Sequence, residues 1–304
     1  MNEADRMDVP LVVDLDGTLL RTDSLHESAV RLLRDHPLDV ARLPLWLSRG
    51  KAALKREIAD RVRLDPTRLP YRTDLIEWLR AERAAGRTLV LCTAADHSIA
   101  DAVAGHLGLF DAVIASDGEL NVAGPRKAEV LARRYGERGF DYAGNSSADL
   151  PVWARARRAV VVDAPESVAR GARDLGTVER EFARAPVGLT QWRRMLRIHQ
   201  WLKNLLLFVP LVAAHRFADA AGWVTLGLAF LSFSLCASAV YVANDLLDLD
   251  SDRAHPRKRE RPFAAGTVPL ATGVALVPLL LAASLALALP VGGAFPAWLA
   301  GYFA

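Results

Sequence analysis

The sequence predicts an α/β domain built on a mainly parallel sheet over residues 1–185, followed by an all-α transmembrane bundle over residues 190–304 that is incomplete. Three observations carry this. Short apolar runs of strand length alternate with helical patterns through the first half. Charges recur every few positions there, whereas Ala220–Asn244 and Pro262–Ala304 hold no formal charge at all. Between those two stretches, four aspartates and five Lys/Arg crowd into Asp245–Arg261.

Taken in order, DVPLVVDLDGTLL is an apolar run ending in Asp-x-Asp-Gly, a buried strand feeding a tight turn. From Ser24 to about Arg72 the pattern is helical and polar, with no strand signal. Leu75, Trp78 and Leu79 give the next helix one apolar face, and GRTLVLCTA is a second buried strand. A helix over Ser98–Leu107 leads to a third strand, FDAVIAS. Lys127 opens the helix KAEVLARRYG, and FDYAGN and RAVVVDA are two more short strands. Strands alternating with helices imply a parallel sheet covered on both faces. Residues from Gly176 to Thr190 read as a connector.

The second half begins with Trp192–Phe217, apolar apart from a basic start, a lone Lys203 and Asn204, and is expected to be a first span. Ala220–Asn244 and roughly Pro269–Leu289 are each long enough, at about 1.5 Å per residue, to cross a hydrocarbon core of about 30 Å. Ala294–Ala304 starts a further apolar run and stops within it, so the chain is expected to be the first part of a longer protein. Arg193, Arg194 and Arg197 precede the first span, and five basic residues lie between the second and third. That bias places both flanks on the cytoplasmic side and leaves only HRFAD outside. The acidic, polar start MNEADRMD is unlike a signal peptide. Residues 1–190 are accordingly expected in the cytoplasm and the spans in the inner cell membrane, with the lipid bilayer as a partner.

A 52% hydrophobic content shared so unevenly fits this division, and a net charge of +3 without basic residues interleaved with aromatics argues against nucleic acid. Cys92 and Cys236 have neither disulfide nor metal-ligand spacing and read as small core residues.

Two clusters carry chemistry. The aspartates of DLDGT, Asp14 and Asp16, leave a strand end two residues apart and point to the same side. One carboxylate could attack phosphorus or hold a cation while its neighbour handles a proton. Thr93 would add a hydroxyl for a phosphate oxygen, Lys127 a balancing charge, and Asp149 a further carboxylate, all near strand ends where groups converge in an open parallel sheet. A bare DxDGT also reads as a simple turn. The ordered set resembles the haloacid dehalogenase superfamily over about Pro10–Ala164. That resemblance implies that Asp14 is a nucleophile forming an aspartyl-phosphate, that Asp16 is the acid/base, and that Mg2+ is held by Asp14, Asp16 and Asp149. Thr93 and Lys127 match the second and third motifs, and the helical insert at about 24–72 matches a cap. In GNSSAD, Asn145 stands where the family usually has an acid; its oxygen can still ligate magnesium but brings no charge.

In the second cluster, if the span continues as a helix, Asn244, Asp245, Asp248 and Asp252 fall within an arc of about 100°, with Asp250 pointing roughly the other way. Carboxylates so gathered at a membrane surface require a cation, and magnesium carrying a diphosphate is a natural guest. The basic run Arg257, Lys258, Arg259 and Arg261 can neutralise the same phosphates; it also reads as a solvated loop that enforces topology. NDxxDxxxD at the end of an apolar span resembles the first aspartate motif of the UbiA superfamily of intramembrane prenyltransferases. RIHQWLKN and KRERPFAAG point to the branch that resembles decaprenyl-phosphate phosphoribosyltransferase. This implies that Asn244, Asp245, Asp248 and Asp252 bind magnesium-diphosphate and that Arg257, Lys258 and Arg261 face it. Lys203 and Asn204 would line the cavity. The implied partners are a polyprenyl phosphate or diphosphate, with phosphoribosyl diphosphate or an aromatic acceptor. The resemblance covers about Thr190–Ala304, roughly a third of the usual bundle, without a second aspartate motif. The expected function is thus a membrane transferase moving a prenyl or phosphoribosyl group, fused to a cytoplasmic phosphatase-like domain. The alternatives are a membrane-anchored phosphatase and a non-catalytic phosphate-binding domain on the transferase.

Overall fold

The computed structural model describes residues 9–117, 121–183 and 187–303. The chain divides into two compact units, Met1–Pro186 and Val187–Ala304.

The first unit is built on strands β1 (Leu11–Val13), β2 (Leu89–Asp96), β3 (Ala112–Ser116), β4 (Asp141–Gly144), β5 (Arg158–Val162) and β6 (Thr177–Phe182). They form one sheet in the order β3-β2-β1-β4-β5-β6, every neighbouring pair parallel. Alternation along the strands makes two cores. Leu11 and Val13 join Leu89, Leu91, Leu75 and Leu79 on one face; Val12 joins Val90, Cys92, Tyr142 and Leu131 on the other. The strand order reverses direction between β1 and β4, which opens a crevice at their carboxyl ends. Asp14 follows β1 and Asn145 follows β4 at that crevice.

Helix α1 (Ser24–Asp35) starts where the Asp23 carboxylate accepts from the N–H groups of Leu25 and His26. With α2 (Leu43–Ser48), α3 (Lys51–Ala59) and the 3₁₀ turn Pro37–Arg42 it forms the expected helical insert, whose own small core is Leu32, Trp46, Ile58 and Val62. The sheet is covered by α4 (Thr73–Ala84), α5 (His97–Leu107), α6 (Gly124–Tyr135), α7 (Leu150–Trp153) and α8 (Glu166–Leu175). Helix α6 begins at Gly124 with Pro125 in its first turn, three residues before Lys127, where the sequence reading opened it.

One expectation is corrected. The supposed connector Gly176–Thr190 contains β6, the edge of the sheet beyond β5. An edge strand needs no continuous apolar run, and TVEREF hides its pairing behind charges that have partners. Glu181 accepts from Arg173, and Glu179 reaches Arg87. Arg87 is fully buried and also contacts Glu82 and Asp141, while Arg157 adds a second guanidinium to Asp141. This network ties β2, β4 and β6 together at the end of the sheet away from the crevice.

The second unit holds α9 (Leu189–Met195), α10 (Val209–Ala213), α11 (Ala220–Leu247), α12 (Leu249–Ala254), α13 (Leu270–Ala288) and α14 (Phe295–Phe303). Among the described residues two helices are long and apolar enough to cross a membrane, Ala220–Leu247 and Leu270–Val291. They pack through small residues: the Ser232 hydroxyl donates to the Ser284 carbonyl at 2.8 Å, and the Ser284 hydroxyl to the Ser232 carbonyl at 2.7 Å. The expected first span, Trp192–Phe217, is instead broken. Arg197 and His215 have left-handed backbones, φ 49 and 53, and the apolar helical stretch between them, Ile198–Ala213, falls short of the roughly 20 residues a span requires.

Candidate functional site

In the first unit, Asp14 sits one residue beyond β1, its backbone N–H bonded to the Ala143 carbonyl at 3.0 Å, so β4 fixes its position. Lys127 reaches it from α6: the Nζ donates to Asp14 Oδ1 at 2.6 Å and to the Tyr142 hydroxyl at 2.9 Å. Tyr142 in turn donates to Asp149 Oδ1 at 2.7 Å. Three predicted residues, Asp14, Lys127 and Asp149, are thereby joined in one buried hydrogen-bonded chain through Tyr142, which the sequence did not single out. Burial raises the Asp14 carboxyl to about 6 against the opposing pull of Lys127. Burial pushes the Lys127 ammonium down, but Asp14 and its neighbours outweigh this and hold it protonated.

Asp16 points toward the start of α1, where it accepts from Ser24 N at 2.7 Å and Ser24 Oγ at 3.1 Å. Burial, with the Asp23 and Asp14 charges behind it, raises it to about 7. Between the two aspartates the chain turns at Gly17, φ 74, where a β-carbon would stand 2.2 Å from Asn145 Nδ2. Glycine is required there both by handedness and by the approach of that amide. Thr18 Oγ1 lies 3.5 Å from Asp14 Oδ2 and 3.4 Å from Asn145 Oδ1. Those two oxygens therefore face one small space.

Asp149, expected as a magnesium-side ligand, is hydrogen-bonded through both oxygens. Its Oδ2 accepts from the N–H groups of Asn145 and Ser146 and from Ser146 Oγ, at 3.0, 2.9 and 3.1 Å. Oδ2 thereby holds the Gly144–Asp149 loop, which positions Asn145, while Oδ1 is taken by the Tyr142 hydroxyl. Thr93 is buried at the β2 end and its Oγ1 accepts from Ala95 N at 3.0 Å. Asp14 Oδ2, the Asn145 oxygen and the Asp16 carboxylate are hard oxygen donors that suit magnesium. Among the described residues no three carboxylate, His or Cys side chains form a ready-made metal cluster. Cys92 lies beneath the site, its thiol pushed up to about 12 by burial, an inert core residue.

Sequence reasoning missed Lys55. From α3 it donates to the Ala94 carbonyl at 2.6 Å and to Asn121 Oδ1 at 3.4 Å, crossing from the insert to the β2 end. Burial lowers its pKa against the pull of Asp16 and Asp23. Its signal in the sequence is one lysine in a polar helix, which nothing separates from a solvated one.

In the second unit, α11 runs three residues past Asn244, and Asp248 (φ −92, ψ 10) then joins it to α12. Asp245 and Asp252 are buried, whereas Asn244 and Asp248 are exposed and Asp250 is half-buried. The face predicted as one surface is thus split, because the junction at Asp248 interrupts the regular rotation. The counter-charge is an arginine: Arg261 Nη1 donates to Asp245 Oδ1 at 3.0 Å and to Asp252 Oδ2 at 2.7 Å. Arg197, outside the predicted site, adds a contact to Asp245 at 2.5 Å. Lys258 approaches Asp252 Oδ1 at 3.7 Å, and that buried oxygen has no hydrogen-bond partner. The orphaned Asp252 oxygen is a hard donor left open to a cation, although among the described residues no three carboxylate, His or Cys side chains are grouped here.

A cavity of about 300 Å³ adjoins this cluster, lined by Arg194, Arg197, His199, Asp245, Arg257 and Arg261 among others. Lys203 and Asn204 are not in that lining: Lys203 is exposed, and Asn204 donates to Ser234 Oγ at 2.9 Å. The basic start of the supposed first span, read only as a topology signal, supplies two of the cavity's four arginines, Arg194 and Arg197.

Comparison with known proteins divides the chain in the same way. Residues 11–153 match the haloacid dehalogenase-like hydrolase family, and residues 205–304 match the UbiA prenyltransferase family. An uncharacterized protein, y4nM, of Sinorhizobium fredii is 40% identical over 283 residues, 92% of this chain and 54% of that protein. A decaprenyl-phosphate phosphoribosyltransferase of Mycolicibacterium smegmatis is 46% identical over 98 residues, 30% of each protein. The chain thus spans about half the length of the first of these relatives and less of the second. Among solved structures, a Bordetella pertussis protein of unknown function aligns at TM-score 0.43 and 18% identity, covering 56% of this chain and 97% of that one. A substrate-bound phosphoserine phosphatase complex aligns at TM-score 0.41 and 11% identity, covering 58% and 92%. The chain is therefore similar to haloacid dehalogenase-like hydrolases over residues 11–153 and to UbiA prenyltransferases over residues 205–304.

Proposed function

We propose that the first domain is a magnesium-dependent phosphomonoesterase and that the second is the opening part of an integral membrane transferase. In the cell this transferase moves a phosphoribosyl or prenyl group onto a lipid phosphate or aromatic acceptor. The observation that carries the hydrolase reading is Asp14 at the β1/β4 crevice. Lys127 holds one of its oxygens, and the other has only a long contact to Thr18. Asp14 Oδ2 attacks the phosphorus of a monoester, forming an O–P bond to the carboxylate as the ester P–O bond breaks. Asp16, raised to about 7 and hence partly protonated near neutrality, gives its proton to the departing alkoxide. It then accepts one from the water that cleaves the acyl-phosphate. Lys127 balances charge throughout. Magnesium held by Asp14, Asp16 and Asn145 would neutralise the phosphate oxygens.

Residues 1–186 should hydrolyse a generic phosphate ester with magnesium, and Asp14→Asn should abolish this. Magnesium and phosphate binding without turnover would favour a phosphate-binding regulatory domain instead, with Asn145→Asp as the informative rescue.

For the transferase, support comes from the Asp245–Arg261–Asp252 cluster at the end of a membrane-length helix within the UbiA-type region. The names of the phosphoribosyltransferase relatives suggest phosphoribosyl diphosphate and a polyprenyl phosphate as substrates. In membranes containing this protein, Asp248→Ala or Asp252→Ala should lower transfer about a hundredfold, and Asp250→Ala should be nearly silent. Equal loss at Asp248 and Asp250 would overturn the metal-site assignment; no diphosphate release from any donor would overturn the transferase. The cytoplasmic placement of residues 1–190 belongs to the same proposal and is testable by protease protection of inside-out vesicles.

A further inference from the structure

The helical insert carries an apolar surface that its own fold leaves open. Leu38 is 89% exposed, Leu45 61% and Leu47 50%, all within one short stretch of the Pro37–Arg42 turn and α2. Beside them lies a groove of about 370 Å³ lined by Leu25, Ala29, Leu43, Pro44, Leu47, Leu54, Ile58 and one polar residue, His26. Leucines displayed in such density on a polar insert mark a contact surface.

Two independent observations say what covers it. Between Arg34 and Arg63 the sequence places eight Lys/Arg against four Asp/Glu, so the insert keeps a net surplus of positive charge even with Arg34, Arg42, Arg49, Arg56 and Arg61 paired to those acids. The same chain also holds two helices of membrane-crossing length and composition, which tether this domain to a bilayer. Exposed leucines with a basic surround are the signature of a surface that sits at an anionic lipid interface, the leucines in the acyl boundary and the arginines among headgroups. We infer that the insert docks on the anionic bilayer through Leu38, Leu45 and Leu47. Leu25 lines both the apolar groove and the small space beside Ser24, Lys55 and Asp96 at the crevice, so docking brings the phosphatase site to lipid-borne monoesters. The inference rests on the membrane reading of the long helices.

The test uses the whole chain in nanodiscs of phosphatidylcholine with or without phosphatidylglycerol. A spin label is introduced at Leu38→Cys, Leu45→Cys, Glu137→Cys or Val224→Cys. Leu38, Leu45 and Val224 are exposed hydrophobics, and Glu137 is an exposed polar position of the first domain. The unsubstituted chain, whose two cysteines are buried, sets the background. Labels at Leu38 and Leu45 should collide with oxygen roughly threefold more than with a polar nickel reagent, and more so with phosphatidylglycerol, while Glu137 shows the reverse. Val224 reports the span separately. A lipid-like Val224 with a water-like Leu45 overturns the docking alone, and a water-like Val224 overturns both readings. Labels at Leu38 and Leu45 shielded from both reagents would mean that protein covers the strip, which also overturns it.

Discussion

Replacing Lys127 with methionine removes the ammonium that contacts Asp14 and leaves its carboxyl under burial and the Asp149 charge, both of which raise its pKa. Asp14, held at about 6 in the native domain, should move upward. A carboxyl whose folded pKa lies above its unfolded value binds a proton more tightly when folded. Its contribution to stability therefore falls as pH rises through that window. In the native domain the window closes near pH 6; in the variant it continues higher. Each further pH unit costs the variant about 1.4 kcal/mol, so the gap should widen by roughly 3 kcal/mol between pH 6 and 8. A smaller, pH-independent loss of about 1–2 kcal/mol reflects the missing bonds to Asp14 and Tyr142. For a unit of this size the widening corresponds to roughly 10 °C in Tm. Melting of residues 1–186, followed by far-UV circular dichroism with chelator present, measures it at both pH values. The Asp14→Asn/Lys127→Met double variant should lose the pH dependence. An equal gap at pH 6 and 8, or a double variant as pH-sensitive as the single one, would refute the argument.

Gly17→Ala must accommodate a β-carbon 2.2 Å from the Asn145 amide at φ 74, and should lower phosphatase turnover about tenfold and stability by about 1–2 kcal/mol, read by ester hydrolysis and urea melts. Arg87→Met leaves Asp141, Glu82 and Glu179 without their shared guanidinium and should destabilise the first domain by about 3–5 kcal/mol at pH 7, read by urea melts. Arg261→Gln removes the guanidinium shared by Asp245 and Asp252 while leaving Arg197 on Asp245 and Lys258 near Asp252, and manganese titration followed by electron paramagnetic resonance should show about tenfold tighter binding without diphosphate. An unchanged affinity would mean that the guanidinium does not compete for the acid pair.

Strands β1 to β5 were legible because strands buried on both faces must be apolar throughout, as LVV and RAVVV are. β6 was not, since an edge strand can satisfy its charges laterally, and no local pattern tells Glu179 that Arg87 lies across the sheet. The aspartate pair after β1 and the lysine that meets it were readable as residue types in a given order. What Asp149 does was not: whether a carboxylate faces a metal or caps its own loop depends on a few ångströms of backbone. Helical rotation correctly brought Asp245 and Asp252 together but could not foresee the interruption at Asp248, nor that Arg197, 48 positions earlier, would supply part of the counter-charge. Composition alone also overstated Trp192–Phe217, where apolar character is continuous but the backbone is not.

The length of α11 acts as a depth gauge. Its uncharged, largely apolar portion, Ala220–Ala243, rises about 36 Å, one turn more than a hydrocarbon core of about 30 Å. In the proposed bilayer setting Asn244 and Asp245 then emerge at headgroup level, where the phosphate of a lipid acceptor already lies and a water-borne sugar phosphate can arrive from the other side. Neither reactant has to leave its own phase. A host bilayer thickened beyond that reach would submerge Asp245 and Arg261 in hydrocarbon, so the acyl-chain length of the surrounding lipid becomes a control on the reaction that no residue of the site itself encodes.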